Sequence, residues 1–171
     1  IQVALGVQDK LHELYEECIQ LVSDNNHQQR GFRLEKIMRE LFLLFDLDPR
    51  ASFKIDGEQI DGAFTFDSTD FLFEAKWHNN QIGISDLDAF KGKVKRKLEN
   101  TLGLFLSMSG FSEGAVRQFA STERRVIILM DGLDLMAVLE GRIELPRLLL
   151  YKRRQAAETG NIYYKVNDIL A

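Results

Sequence analysis

Three side chains in the middle of the chain have the types and spacing to do chemistry: Asp61, Glu74 and Lys76. Glu74 and Lys76 interrupt the otherwise apolar run "FLFEAKW" (71–77). Side chains alternate along a strand, so Phe71, Phe73, Ala75 and Trp77 take one face while Leu72, Glu74 and Lys76 take the other. The preceding run "IDGAFTFD" (60–67) has the same strand character, and "DSTD" (67–70) reads as the turn between them. A turn centred between Ser68 and Thr69 sets Asp61 opposite Lys76 and Ala63 opposite Glu74, with Asp61 and Glu74 as diagonal neighbours roughly 7 Å or less apart. Two carboxylates that close repel, and one titrates upward unless a cation lies between them. A divalent metal relieves this, because oxygen ligands suit Mg2+, which keeps several waters and binds phosphate oxygens. Lys76 beside such an ion can orient or help deprotonate an attacking water, or stabilise charge developing on phosphate. The inert alternative is an Asp61–Lys76 salt bridge on a solvated face, worth little.

A third carboxylate joins them from upstream. "FRLEKIMRELFLLF" (32–45) has helical 3–4 spacing, and Glu35 lies three residues from Phe32 and Met38 and seven from Phe42. It therefore projects from the apolar face, where a solvated Glu does not belong. A metal-bound water would serve it as partner; the competing reading pairs it with Arg39 at i,i+4.

These residues need a scaffold, and the pattern supplies one. "DKLHELYEECIQLV" (9–22) is helical, the polar "SDNNHQQRG" (23–31) breaks it, and the second helix ends near Asp48-Pro49. Helical spacing returns over 84–101, with Ile84, Leu87, Phe90, Val94 and Leu98 facing a core. "LGLFLSMS" (102–109) and "RVIILM" (125–130) are apolar strands without alternation, as expected of strands covered on both faces. Between them "SEGAVRQFAS" (112–121) starts a helix at a Ser cap. Residues 131–141 and 145–160 read as helices followed closely by Gly, and "NIYYKV" (161–166) as a last strand. The order predicts one α/β domain over 1–171, a mixed central sheet with helices on both faces. It divides into an N-terminal helix (1–28), a core (29–141) and a C-terminal helix and strand (142–171).

"IDGAFTFDSTDFLFEAKW", preceded by "GFRLEKIMREL", resembles the D-x(n)-E-x-K core of the PD-(D/E)xK nuclease superfamily. The following "GLFLSMSGFSEGAVRQFA" and "RRVIILMDGLDLMAVLEG" are similar to its Mrr-like restriction endonuclease branch. The resemblance covers roughly residues 29–141 and implies a restriction-endonuclease-like fold with an αβββαβ core. It implies that Glu35, Asp61 and Glu74 are metal ligands, directly or through water, that the Ala75 carbonyl is a further ligand, and that Lys76 is the catalytic lysine. The implied cofactor is Mg2+, with Mn2+ able to substitute. The implied activity is metal-dependent hydrolysis of DNA phosphodiesters in restriction or phage defence. One site cuts one strand, so duplex cleavage calls for a homodimer or successive nicks, and a fused or associated regulatory domain is expected. Ile60 stands where the motif's name calls for proline. The alternatives are an RNA or junction-specific nuclease, and an inactive nucleic-acid-binding or protein-interaction module; degenerate members usually lose an acid or the lysine, and here Asp61, Glu74 and Lys76 are all present.

A nucleic acid needs a cationic partner, and "KGKVKRK" (91–97) supplies Lys91, Lys93, Lys95, Arg96 and Lys97 with no acid among them. The bland reading is a solvated helix face. A second cluster, "YKRRQ" (151–155), reads as a solvated helix end, and His12, His27 and His78 have no metal-ligand spacing. The net charge of −4 shows no overall affinity for nucleic acid, so any such affinity must be local. A lone cysteine, Cys18, excludes an internal disulfide and suits a reducing, cytoplasmic setting. No signal peptide or membrane span is legible. The chain begins at Ile1 rather than Met and is expected to be part of a larger protein.

Overall fold

The computed structural model describes residues 2–121 and 124–171, with side chains from residue 6 onward. Two helices lead, α1 (Gln2–Leu21) and α2 (His27–Leu44). α2 starts inside the polar stretch, earlier than the apolar spacing suggests, because the Asn26 side chain accepts from the Gln29 amide and caps it. A small hairpin follows, β1 (Phe53–Ile55) and β2 (Glu58–Ile60). The periodicity does not anticipate it: both strands have three residues, and β1 is exposed throughout. Its Asp56-Gly57 turn, both residues at positive φ (50° and 78°), is the one local signal.

The main sheet holds β3 (Gly62–Phe66), β4 (Thr69–Lys76), β5 (Leu102–Ser107) and β6 (Ile127–Asp131), in that spatial order. β3 and β4 are antiparallel, whereas β4, β5 and β6 run parallel through α3 (Ile84–Lys95) and α4 (Glu113–Ala120). After β6 come α5 (Gly132–Leu139), α6 (Leu145–Thr159) and α7 (Val166–Ile169). The α/β class, with a mixed sheet flanked by helices, is as the element order predicts.

Alternation in the strands makes two cores. Phe64, Phe71, Phe73 and Leu104 pack with Leu14 of α1, Leu34 and Met38 of α2 and Leu148 of α6. Ala63, Leu72, Phe105 and Leu129 pack with Leu87, Phe90 and Val94 of α3 and Phe119 of α4. The close seat of α3 requires glycine at 103. A Cβ there would stand 2.8 Å from side-chain atoms of both Phe90 and Val94, nearer than real Cβ contacts come.

Four expectations are corrected. The β3–β4 pairing runs Gly62↔Phe73, Ala63↔Leu72 and Phe66↔Thr69, around a two-residue turn at Asp67-Ser68, both at positive φ (51° and 60°). This register differs by two positions from the one inferred. A slip of two preserves which face each side chain takes, so Asp61 still shares a face with Glu74, but it lies beyond the Gly62↔Phe73 pair, across from Glu74 rather than Lys76. Second, α3 stops at Lys95 instead of running to 101; the chain turns away, Asn100 takes φ 74°, and Leu98 is 83% exposed rather than core. Third, Phe32 is 61% exposed and not part of the apolar face of α2. Fourth, residues 161–166 are not a strand. Ile162 accepts one sheet-like bond from Leu129, but Lys152 takes the Tyr164 carbonyl and Lys165 caps α7, so no ladder forms. Among the described residues no helix is long and apolar enough to cross a membrane.

Candidate active site

Aromatic packing brings α2 over the hairpin. Phe42 stacks on Phe64 with ring centroids 4.2 Å apart, Phe64 stacks on Phe71 at 4.9 Å, and Phe42 meets Phe73 edge-on at 5.3 Å. Near the start of α2 the buried Arg30 donates to the Trp77 carbonyl at 2.8 Å, and its guanidinium lies 5.0 Å from the centre of the Trp77 ring. α2 is thus tied to β4 beside the E-x-K triplet, and Glu35 comes to Asp61. Glu35, Asp61, Glu74, Ala75, Lys76 and Lys93 line one cleft of about 390 Å³.

The three carboxyls sit under strain of like charge and poor solvation. Glu35 is pushed up to about 8, by burial first and then by the charge of Asp61, to which it hydrogen-bonds; Arg39 opposes this without prevailing. Burial also raises Asp61, against the Ala75 amide, which donates to Asp61 Oδ2 at 3.1 Å, and against Lys93 and Lys76. Glu74 is raised by burial, opposed by Lys93, whose Nζ donates to Glu74 Oε1 at 3.0 Å. Burial and mutual repulsion thus favour the protonated form of all three carboxyls, and a cation among them would relieve both.

The donors fit a hard divalent ion. Asp61, Glu74 and the Ala75 backbone offer oxygen only. Among the described residues no three His, Cys, Asp or Glu side chains stand close enough to cage a metal by themselves. That donor set suits Mg2+, which binds through one or two carboxylates and keeps its waters. Glu35 stands one step behind, on Asp61.

Lys76 does not bridge to Asp61. Its Nζ lies 3.6 Å from Asp86 Oδ1 on α3. The basic run at the end of α3 and just beyond it divides among several partners. Lys93 enters the cleft and also donates to the Gln59 carbonyl at 2.8 Å. Arg96 and Lys97 both hold Glu58 of β2. Lys91 lies 4.9 Å from the centre of the Phe119 ring, and Lys95 is exposed. The second basic cluster is not simply solvated: Lys152 is buried and Arg153 pairs with Asp67. His27 and His78 line the cleft with rings 6.1 Å apart, and burial lowers the His78 pKa, with Lys76 adding to it. Sequence reasoning missed Asp86 and Arg30. Asp86 carried a usable signal, since it lies seven residues before Lys93 and so on the same side of α3.

Residues 27–139, well over half of the chain, match the family profile described as Mrr_cat, restriction endonuclease. The chain belongs to this restriction endonuclease family. The fold agrees. A solved protein of unknown function, AF1548, is 15% identical with a TM-score of 0.52, over 73% of this chain and 77% of that one. The DNA modification-dependent restriction endonuclease AspBHI is 19% identical with a TM-score of 0.52, over 88% of this chain and 41% of that one. The chain therefore spans less than half the length of AspBHI. MspJI restriction endonuclease, solved in complex with a 27-mer oligonucleotide, is more distant at 15% identity and a TM-score of 0.45, over 94% of this chain and 38% of that one. No curated protein sequence matches significantly. In this restriction endonuclease domain the inward Glu of α2, the Asp before β3 and the E-x-K of β4 fall within the matched residues.

Proposed function

We propose that this domain is a divalent-metal-dependent endonuclease that hydrolyses DNA phosphodiester bonds, acting in the cytoplasm in restriction or phage defence. The observation that carries it is the convergence of Glu35, Asp61, Glu74 and Lys76 on one cleft in a member of the restriction endonuclease family. Asp61, Glu74 and the Ala75 carbonyl would hold the ion, with Glu35 reaching it through water and through Asp61. Mg2+, or Mn2+ in its place, supplies a Lewis acid for phosphate oxygen and lowers the pKa of a bound water. Lys76 holds positive charge where the scissile phosphate gains negative charge, and Asp86 keeps its ammonium aimed. The exposed cations at the C-terminal end of α3, Lys95 and the C-cap Arg96, with Lys91 and Lys97 beside them, contact the phosphate backbone, Arg96 and Lys97 exchanging Glu58 for phosphate. Cutting both strands of a duplex then takes a homodimer or a fused or associated regulatory domain that delivers two sites.

The test is plasmid nicking by the purified chain with Mg2+, Mn2+ or EDTA, beside Glu74→Ala and Lys76→Ala. Cutting is expected with either metal and is expected to stop with EDTA or with either substitution. Cutting that persists in EDTA or in both variants removes the proposed site. Metal-independent retention of DNA without cutting would instead favour a binding module on the same fold.

A further inference from the structure

We propose that α3 completes the catalytic centre with two positioning residues, Lys93 and Asp86, which hold Glu74 and Lys76 respectively. The inference rests on the nuclease reading above and deepens it. β4 contributes a carboxylate and an ammonium two residues apart; α3 answers with an ammonium and a carboxylate seven residues apart, on one side of the helix. The pairs are crossed by charge: Lys93 Nζ to Glu74 Oε1 at 3.0 Å, and Lys76 Nζ to Asp86 Oδ1 at 3.6 Å.

Lys93 differs from the two cations just beyond its helix. Arg96 and Lys97 meet Glu58, away from the cleft, whereas Lys93 lines the cleft with a side chain only 22% exposed. An ammonium has three N–H donors, and two are committed, to Glu74 and to the Gln59 carbonyl at 2.8 Å. Two acceptors from different strands fix the position of Nζ, which a single surface pair does not. The helix that carries it is fixed too, since Phe90 and Val94 sit down on Gly103. A carboxylate that must present an oxygen in one direction gains from a partner held this rigidly. Lys76 has one longer and partly solvated contact, to Asp86 at 3.6 Å, which biases the direction of its four-carbon stem less firmly.

The experiment compares the full chain with Lys93→Ala, Lys93→Arg, Asp86→Asn, Lys76→Ala and Lys97→Ala in steady-state cleavage of a duplex with Mg2+. If Lys93 positions Glu74, Lys93→Ala lowers kcat by about 10- to 100-fold, the usual loss for a partner that orients a ligand, with KM changed by less than about threefold. Lys93→Arg, which keeps charge and donors, recovers most of that loss, and Asp86→Asn lowers kcat in the same direction by a smaller factor. Lys97→Ala raises KM and leaves kcat in place, as loss of a backbone contact should. A second readout needs neither metal nor turnover: in EDTA, urea unfolding of Lys93→Ala, Glu74→Gln and the double variant gives a non-additive effect of more than about threefold in the unfolding constant. Should Lys93→Ala fail to fold, Lys93→Met, which keeps the stem, carries the same comparison. If Lys93→Ala changes only KM, or the cycle is additive while Lys76→Ala is dead, the positioning role is overturned and the nuclease stands. If the wild-type chain does not cut, or Lys76→Ala cuts as well, the nuclease reading falls and takes this inference with it.

Discussion

Two clusters of carboxylate and lysine among the described residues differ in how completely their hydrogen bonds are satisfied. At the end of β6, Asp134 and Lys152 form a 2.8 Å pair with side chains wholly out of solvent. Every charged atom there has partners. Lys152 also donates to the Leu129 and Tyr164 carbonyls, Asp134 accepts from the Asp131 and Val166 amides, and Asp131 accepts from the Asp134 amide and the Tyr163 hydroxyl. At the end of β4, Asp61 has the Ala75 amide and the Glu35 carboxyl, Glu74 has Lys93, and Glu35 has Asp61 and the charge of Arg39, all lining an open cleft. Burial raises the carboxyl pKa in both clusters, so the shift does not separate them. Saturation does. The closed cluster joins β6, α5, α6 and the chain end, and has no capacity left for a ligand. The open one keeps acceptor oxygens facing the cleft, with capacity left for water or a ligand.

The largest expected effect falls on the closed cluster. Lys152→Met leaves Asp134 buried beside Asp131, and loss of one partner from a buried pair costs about 3–5 kcal/mol. Urea unfolding should show that loss in full, and the double variant Asp134→Asn with Lys152→Met should regain part of it. Next comes Lys76→Ala in the open cluster. Removing one preorganised charge from a site of this kind lowers kcat by about 10²–10³-fold, while stability stays within roughly 0.5 kcal/mol, because the 3.6 Å Asp86 pair is partly solvated. If Lys76→Ala destabilises as Lys152→Met does, the two clusters are alike and the distinction fails.

A smaller effect tests the seat of α3. Gly103→Ala places a Cβ 2.8 Å from the buried Phe90 and Val94 side chains, and overpacking of this kind costs about 1–3 kcal/mol. α3 must lift, and it carries Asp86 and Lys93, so cleavage should fall further than the stability loss alone explains at a temperature where the variant is still folded. An unchanged kcat would mean that the open cluster tolerates movement of α3.

Most of the open cluster was legible because strand alternation is a local rule. Phe71, Phe73, Ala75 and Trp77 do lie in one core, and Glu74 and Lys76 are excluded from it. The register was off by two because it depends on which two residues take positive φ. Asp67 and Ser68 do so, a choice that composition leaves open between several adjacent pairs. The β1–β2 hairpin escaped notice since its strands are too short and too exposed to show a period, although Asp56-Gly57 was there to be read. Partners across elements were invisible. Nothing local ties Glu58 to Arg96, or Glu74 to Lys93, so the basic run reads in the sequence as contacts for a phosphate backbone or a solvated helix face, whereas the fold gives several of its members protein partners. The closed cluster was missed for the same reason, and it also explains the false strand at 161–166: Tyr163 and Tyr164 serve Asp131 and Lys152 instead of a ladder.

The last effect concerns Glu35, and its sign follows from proton linkage. Its carboxyl is held at about 8 in the fold, against 4.5 ordinarily, by burial first and then by Asp61, with Glu74 adding and Arg39 opposing. Between about pH 4.5 and 8 the folded chain therefore binds more protons than the unfolded one, and its stability falls as pH rises through that window. Asp61 and Glu74, also raised, act in the same direction at its acid end. In EDTA, where no metal competes, the urea midpoint of the wild-type chain should decline from pH 5 to pH 8. Glu35→Gln cannot lose a proton, so its midpoint should decline less, with the gap over wild type widest near pH 8. Lys152→Met should lower the midpoint at every pH without removing the part of the slope that belongs to Glu35. Parallel curves for wild type and Glu35→Gln would mean that Glu35 is already ionised and partnered, and the open cluster would then be as saturated as the closed one.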